Sequence, residues 1–251
     1  MTDMLSKRQL KELRYYRQSK YCKEAGLFVV EGEKMAAEAL ASGWRIHAVC
    51  ATDSWMATHR QPATIEQWHT VGAGELEMLS LMRSPNAVWM LVERQEADTA
   101  ALQSINATLV LDRLQDPGNM GTLIRTADWF GIRHIVCSND SVDCFNPKVV
   151  QSTMGGIFRT KVTYTDITEW LTHCGTPVYG AVLGGEPVGA TTKLSRPCAL
   201  VIGTESQGIS PAVAACLTQR LTIPNIGGSA ESLNAASAAA ILMALLALPE
   251  A

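Results

Sequence analysis

No Cys-x-x-Cys pair and no His-Glu-x-x-His run occurs in the 251 residues, which removes structural zinc, thioredoxin-like redox and zincin chemistry. No Gly-x-Gly-x-x-Gly follows a strand and no Gly-x-x-x-x-Gly-Lys-Ser/Thr occurs at all, so the dinucleotide fingerprint and the P-loop are excluded. The longest apolar stretch, residues 235–248, has 14 residues, short of the roughly 18–20 that a membrane span needs. The first eight residues already carry charge and no apolar signal core, so the expected protein is soluble and cytoplasmic, with no membrane and no metal. Only 18% of residues are charged and the net charge is −3, which argues against a uniformly basic surface.

What is present is a large apolar complement, 47% of residues, enough for a sizeable core and more than one domain. The charge is unevenly placed. Residues 7–23 hold seven basic side chains against the one acid Glu12, so the rest of the chain carries about −9. A basic arm on an acidic body suits a local polyanion contact, with Lys7, Lys11 and Arg14 on its outer face. The seven cysteines are scattered and read as buried, reduced thiols.

Periodicity divides the chain in two. Helical spacing predicts a helix over 6–16, a strand at 28–30, a helix over 34–41 and a strand at 46–51. The stretch 52–94 is ambiguous, with a short helix near 73–82 and a strand near 88–92. This is a small α/β domain, residues 1–95. The polar segment 96–106 reads as a linker. From 107 to 251 strands and helices alternate: strands at 108–111, 135–137, 178–183, 199–202 and 220–223, and helices at 120–130, 147–155, 168–173, 211–217 and 232–248. Apolar strands with helical crossovers predict a parallel sheet with helices on both faces.

In such sheets ligands sit at the carboxyl ends of the strands, and three loops there are rich in Gly and polar residues. The first, 112–125, leads through Asn119, a candidate N-cap, to Arg125, whose forked donors suit phosphate. The second, 203–208, places Glu205 between glycines, with Gly203 able to admit a ligand close to the backbone. The third, 224–234, brings Ser232 and Asn234 to the mouth of an apolar helix, with Ser229 or Ser232 as its cap. Taken singly, each loop is an ordinary capped helix end.

In this order the three loops resemble the SpoU/TrmH branch of the SPOUT RNA methyltransferases. The first motif runs from Asp116 and Pro117 through Asn119 and Gly121 to Arg125; the second is Gly203, Glu205 and Gly208; the third is Ile223, Pro224, Ser232, Leu233 and Asn234. The stretch 152–156 is similar to that family's mid-domain segment, and Phe28 to Gly32 resembles, more loosely, its RNA-binding domain. The resemblance implies an α/β catalytic domain with a trefoil knot and S-adenosylmethionine as methyl donor. It also implies a homodimer through helix 235–246, and structured RNA, ribosomal or transfer, as partner. It implies a donor site of Leu183, Gly184, Ile202, Gly203, Ile223, Ser232 and Leu233, and an acceptor site of Asn119, Arg125, Glu205, Ser232 and Asn234. Guanidinium keeps its proton in proteins, so Arg125 is expected to grip a phosphate and polarise a ribose 2′-hydroxyl while the other four position the ribose or accept its proton. The alternatives are methylation of a base, or an RNA-binding or assembly protein without turnover.

Overall fold

The protein is described by a computed structural model over residues 3–59, 65–95, 107–189, 191–204 and 206–247. The expected linker 96–106 and the candidate Glu205 lie outside the described residues. The chain divides into two compact units, Met1–Gln95 together with Phe145–Phe158, and Glu96–Cys144 together with Arg159–Ala251.

The first unit is built on a five-stranded mixed sheet in the order β1-β4-β3-β5-β2, comprising β1 (Asp3–Met4), β2 (Leu27–Glu31), β3 (Ile46–Ala51), β4 (Gln67–Thr70) and β5 (Val88–Glu93). Its helices are α1 (Lys7–Arg14), α2 (Ser19–Glu24), α3 (Glu33–Ala41), α4 (Asp53–Thr58) and α5 (Ala73–Leu79). Ser6 starts α1 through a capping box, Ser6 Oγ accepting from Gln9 N–H at 3.3 Å and Gln9 Oε1 from Ser6 N–H at 3.0 Å, which satisfies two otherwise orphaned donors. Leu13 is buried, with Leu10 and Tyr16 packed against the core. Lys7, Lys11 and Arg14 are exposed.

A contiguous division at 95 and 107 does not match the packing. Helix α7 (Pro147–Thr153) belongs to the first unit, where Gln151 Nε2 donates to Glu31 O at 2.8 Å. Phe145 and Phe158 lie 4.8 and 6.1 Å from the buried Phe28 ring. Aromatic burial and a backbone hydrogen bond outweigh sequence proximity here.

The second unit holds six parallel strands in the order β11-β9-β10-β6-β7-β8. They are β6 (Ala107–Leu111), β7 (His134–Ser138), β8 (Lys161–Thr165), β9 (Val178–Pro187), β10 (Cys198–Ile202) and β11 (Gln219–Thr222). The connections carry α6 (Pro117–Trp129), α8 (Ile167–His173) and α9 (Pro211–Ala214), and α10 (Ala235–Ala247) follows the last strand. Strands β6 and β10, central and adjacent, are buried along their whole length, as near-continuous apolar runs require. Five of the seven thiols, Cys22, Cys50, Cys137, Cys144 and Cys198, are buried in the two interiors, whereas Cys174 and Cys216 are only partly buried. Burial pushes Cys50 up to about 12, Cys198 up to about 11, and Cys137 well above its usual range. Among the described residues no helix is long and apolar enough to cross a membrane.

Candidate active site

From β6 the chain goes to β7 and β8 on one side of the sheet and returns on the other, so the loops after β6 and β10 part at adjacent strand ends. That is where an open parallel sheet leaves a crevice. Asp112 fastens the two loops. The residue is 2% exposed; its Oδ2 accepts from Ser210 N–H at 2.6 Å and its Oδ1 from Arg113 Nε at 3.2 Å. Arg113 adopts φ 57°, a left-handed conformation that costs a side-chain-bearing residue about 1 kcal/mol or more. It is held there by its N–H donating to Ser138 Oγ at 2.8 Å and its Nη1 to Gln207 Oε1 at 2.9 Å. Sequence reasoning passed over Asp112 and Arg113 because their partners, Ser210 and Gln207, lie 98 and 94 residues away. Replacing Asp112 with Ala strands the Ser210 N–H and should lower stability by about 2 kcal/mol. Urea unfolding of the two proteins measures this, and equal midpoints would show that the tie is dispensable.

The start of α6 differs from expectation. Asp116, not Asn119, is the N-cap: its Oδ1 accepts from Asn119 N–H at 2.7 Å, with Pro117 in the first turn. Proline suits that place because its missing N–H would have no partner anyway. Asn119 therefore keeps its side chain for another purpose, and its Oδ1 accepts from Asn234 Nδ2 at 3.0 Å. Asn234 in turn caps α10, its Oδ1 accepting from Ala236 and Ser237 N–H at 2.9 and 3.3 Å; neither Ser229 nor Ser232 is the cap. Two site candidates 115 residues apart are thus joined by one amide pair. Arg125, further along α6, is exposed and makes no hydrogen bond or ion pair among the described residues.

Beside this pair lies a cleft of about 660 Å³. Leu183, Ile202, Gly203, Ile223, Ser232 and Leu233, all expected at the donor site, line it. Gly184 does not; at φ 73° it turns β9 where the pairing with β11 shifts between Arg220 and Leu221. Gly203 is needed for a different reason from the one expected. A Cβ there would meet Gly208 C at 2.1 Å and Ile209 N at 2.4 Å, so the close approach is by the loop's own backbone. Thr204 and Gly208 exchange two backbone hydrogen bonds of 3.1 and 2.9 Å across this turn. Thr204, Gln207 and Asn225 add polar groups to the lining that no motif had marked. Asn225 also braces the third loop, its Oδ1 accepting from Gly228 N–H at 2.7 Å and its Nδ2 donating to Gly228 O at 3.0 Å. Large apolar side chains stand in water at the cleft, with Leu183 77%, Ile226 92% and Leu233 47% exposed.

Residues 106–244 match the model of the SpoU rRNA Methylase family. The chain belongs to this family. Residues 7–89 match the MRM3-like substrate binding domain. Among relatives, the chain is 30% identical over 222 residues to the 23S rRNA (guanosine(2553)-2'-O)-methyltransferase RlmP of Bacillus subtilis, covering 86% of each protein. A TrmH-family structure from Porphyromonas gingivalis superposes with a TM-score of 0.86 at 38% identity, over 97% of this chain and 98% of that one. An AdoMet-bound rRNA methyltransferase structure from Sinorhizobium meliloti gives 0.84 at 28% identity, over 98% and 96%. SpoU family membership thus covers the cleft, the amide pair and Arg125 together.

Proposed function

We propose that the protein transfers a methyl group from S-adenosylmethionine to a ribose 2′-hydroxyl of ribosomal RNA in the cytoplasm. The observation that carries this reading is the Asn119–Asn234 pair, which fastens the helix bearing Arg125 to the third loop of the cleft. The cleft fits the donor: its volume is within the roughly 300–1,000 Å³ usual for ligands of this size. Leu183, Ile226 and Leu233 offer apolar cover to a flat ring, while Thr204, Gln207, Asn225 and Ser232 offer polar partners.

When bound, the donor supplies an electrophilic methyl sulfonium. The chain's part is to hold a weak nucleophile in line and relieve it of its proton. Arg125 grips the phosphate beside the target and fixes the ribose. Asn119 and Asn234 hold the acceptor side of the cleft, and Ser232 Oγ with the Glu205 carboxylate positions the hydroxyl and takes its proton. Mapping of ribose-methylated positions in ribosomal RNA from cells with and without the protein tests the reading. At least one site should disappear with the gene; an unchanged map contradicts it.

The first unit is the RNA-binding part of this proposal. Arg8 is paired with Glu12 at 3.0 Å, whereas Lys7, Lys11 and Arg14 are exposed with no ion pair among the described residues. Changing these three to Gln should weaken RNA binding and reduce the slope of log affinity against log salt by about 2, with donor affinity unchanged. An unaltered slope would show that this face is only solvated.

The proposal includes the trefoil knot and a homodimer through α10. Leu242 and Leu246 are buried within the chain itself, so the face available to a second copy is Ser237, Ile241 and Leu245. Ile241 is 41% exposed, and Ile241→Asp should yield monomers in sedimentation; a variant that stays dimeric places the interface elsewhere.

A further inference from the structure

We propose that Trp129 is a stacking platform for an unpaired RNA base flanking the methylated nucleotide; this rests on the functional reading above. Trp129 ends α6 and is 84% exposed, while the other five tryptophans are buried or partly buried. Leaving an indole in water forgoes one of the largest apolar burials a side chain offers, so its position asks for a partner. It stands one helical turn beyond Arg125, and residues four apart on a helix share a face.

The surroundings select the partner's chemistry. Asp128 uses both oxygens on guanidiniums, Arg133 Nη1 at 2.6 Å and Arg159 Nε at 2.9 Å. Two guanidiniums thus share one carboxylate, and Arg125, unpaired among the described residues, stands one turn back on the same helix. A protein partner or a second copy would need a contiguous apolar patch. Trp129 is the sole exposed large hydrophobic residue on α6, its other exposed or half-exposed positions being Pro117, Gly118, Asn119, Thr122, Arg125, Thr126 and Asp128. An isolated aromatic ring within surplus positive charge fits one base with its phosphates. Arg125 takes the phosphate at the target and Trp129 the face of a neighbouring base, so the two residues set the strand's direction across the cleft. Stacking is tolerant of base identity, and the platform fixes position rather than sequence.

The test uses the full chain and unmodified ribosomal RNA transcribed in vitro. Acrylamide should quench emission from Trp129 in the free protein, RNA should shield it, and Trp129→Phe should abolish that shielding signal while keeping affinity within about threefold, because a phenyl ring also stacks. Trp129→Ala should weaken RNA binding by about tenfold with donor affinity and sedimentation mass unchanged. RNA that leaves Trp129 open to acrylamide, or a Trp129→Ala variant that binds RNA as the wild type does, overturns the proposal. A fall in mass in Trp129→Ala also overturns it and assigns the face to a second copy. Methyl transfer by the wild type, measured alongside, separates the two readings. Transfer to ribose with Trp129 unshielded removes the platform alone, and shielding without transfer to ribose keeps the platform and removes the reaction.

Discussion

Arg125→Ala is expected to bind S-adenosylmethionine with wild-type affinity and to transfer methyl groups at least about 10²-fold more slowly. The side chain is exposed and is absent from the residues lining the cleft, so its loss removes nothing from the donor. On the proposed function, the loss is of a charge-assisted, forked contact to the acceptor strand. Arg125→Lys should recover only part of the rate, since an ammonium cannot make the paired contact. The two variants also examine the proton's fate. Guanidinium does not deprotonate in proteins and ammonium can. If residue 125 were the proton acceptor, raising the pH would rescue Arg125→Lys far more than the wild type. Parallel pH profiles for the two are the expected result. Full activity in Arg125→Ala would remove the residue from the site.

The second large effect is at Gly203. A methyl group there would lie 2.1 to 2.4 Å from backbone atoms of Gly208 and Ile209, and backbone cannot swing aside as a side-chain tip can. The turn must open, losing the two hydrogen bonds between Thr204 and Gly208. Overpacking of this kind costs about 1–3 kcal/mol, so Gly203→Ala should weaken donor binding roughly tenfold or more by calorimetry. Gly175→Asn, away from the cleft lining, is the matched control: φ is 64° there but no atom lies within 4 Å of an added Cβ. Asparagine tolerates that conformation, and its effect should be small. Equal donor affinity in Gly203→Ala and the wild type would contradict the structural role given to this glycine.

Strands β6, β7 and β10 were legible because burial on both faces writes itself as an apolar run. Strand β8 was not. Its sequence, Lys-Val-Thr-Tyr-Thr, has one buried position, Thr163, and an edge strand needs no continuous apolar signal. The short helices α2 and α4 were hidden for a similar reason, each burying only one or two side chains. At the site, the three loops could be read from their Gly and polar content, but the contacts between them could not. Nothing local shows that Asn119 meets Asn234, or that Asp112 holds Ser210. The N-cap at Asn119 was misplaced because the motif offers two good caps three residues apart, and Pro117 decides between them in favour of Asp116.

The central claim is tested most directly by supplying the protein with unmodified ribosomal RNA and methyl-labelled S-adenosylmethionine, digesting the RNA to nucleosides and locating the label by mass spectrometry. The account predicts label on the ribose of a 2′-O-methylnucleoside. Label on a base, with every ribose unmodified, would contradict it.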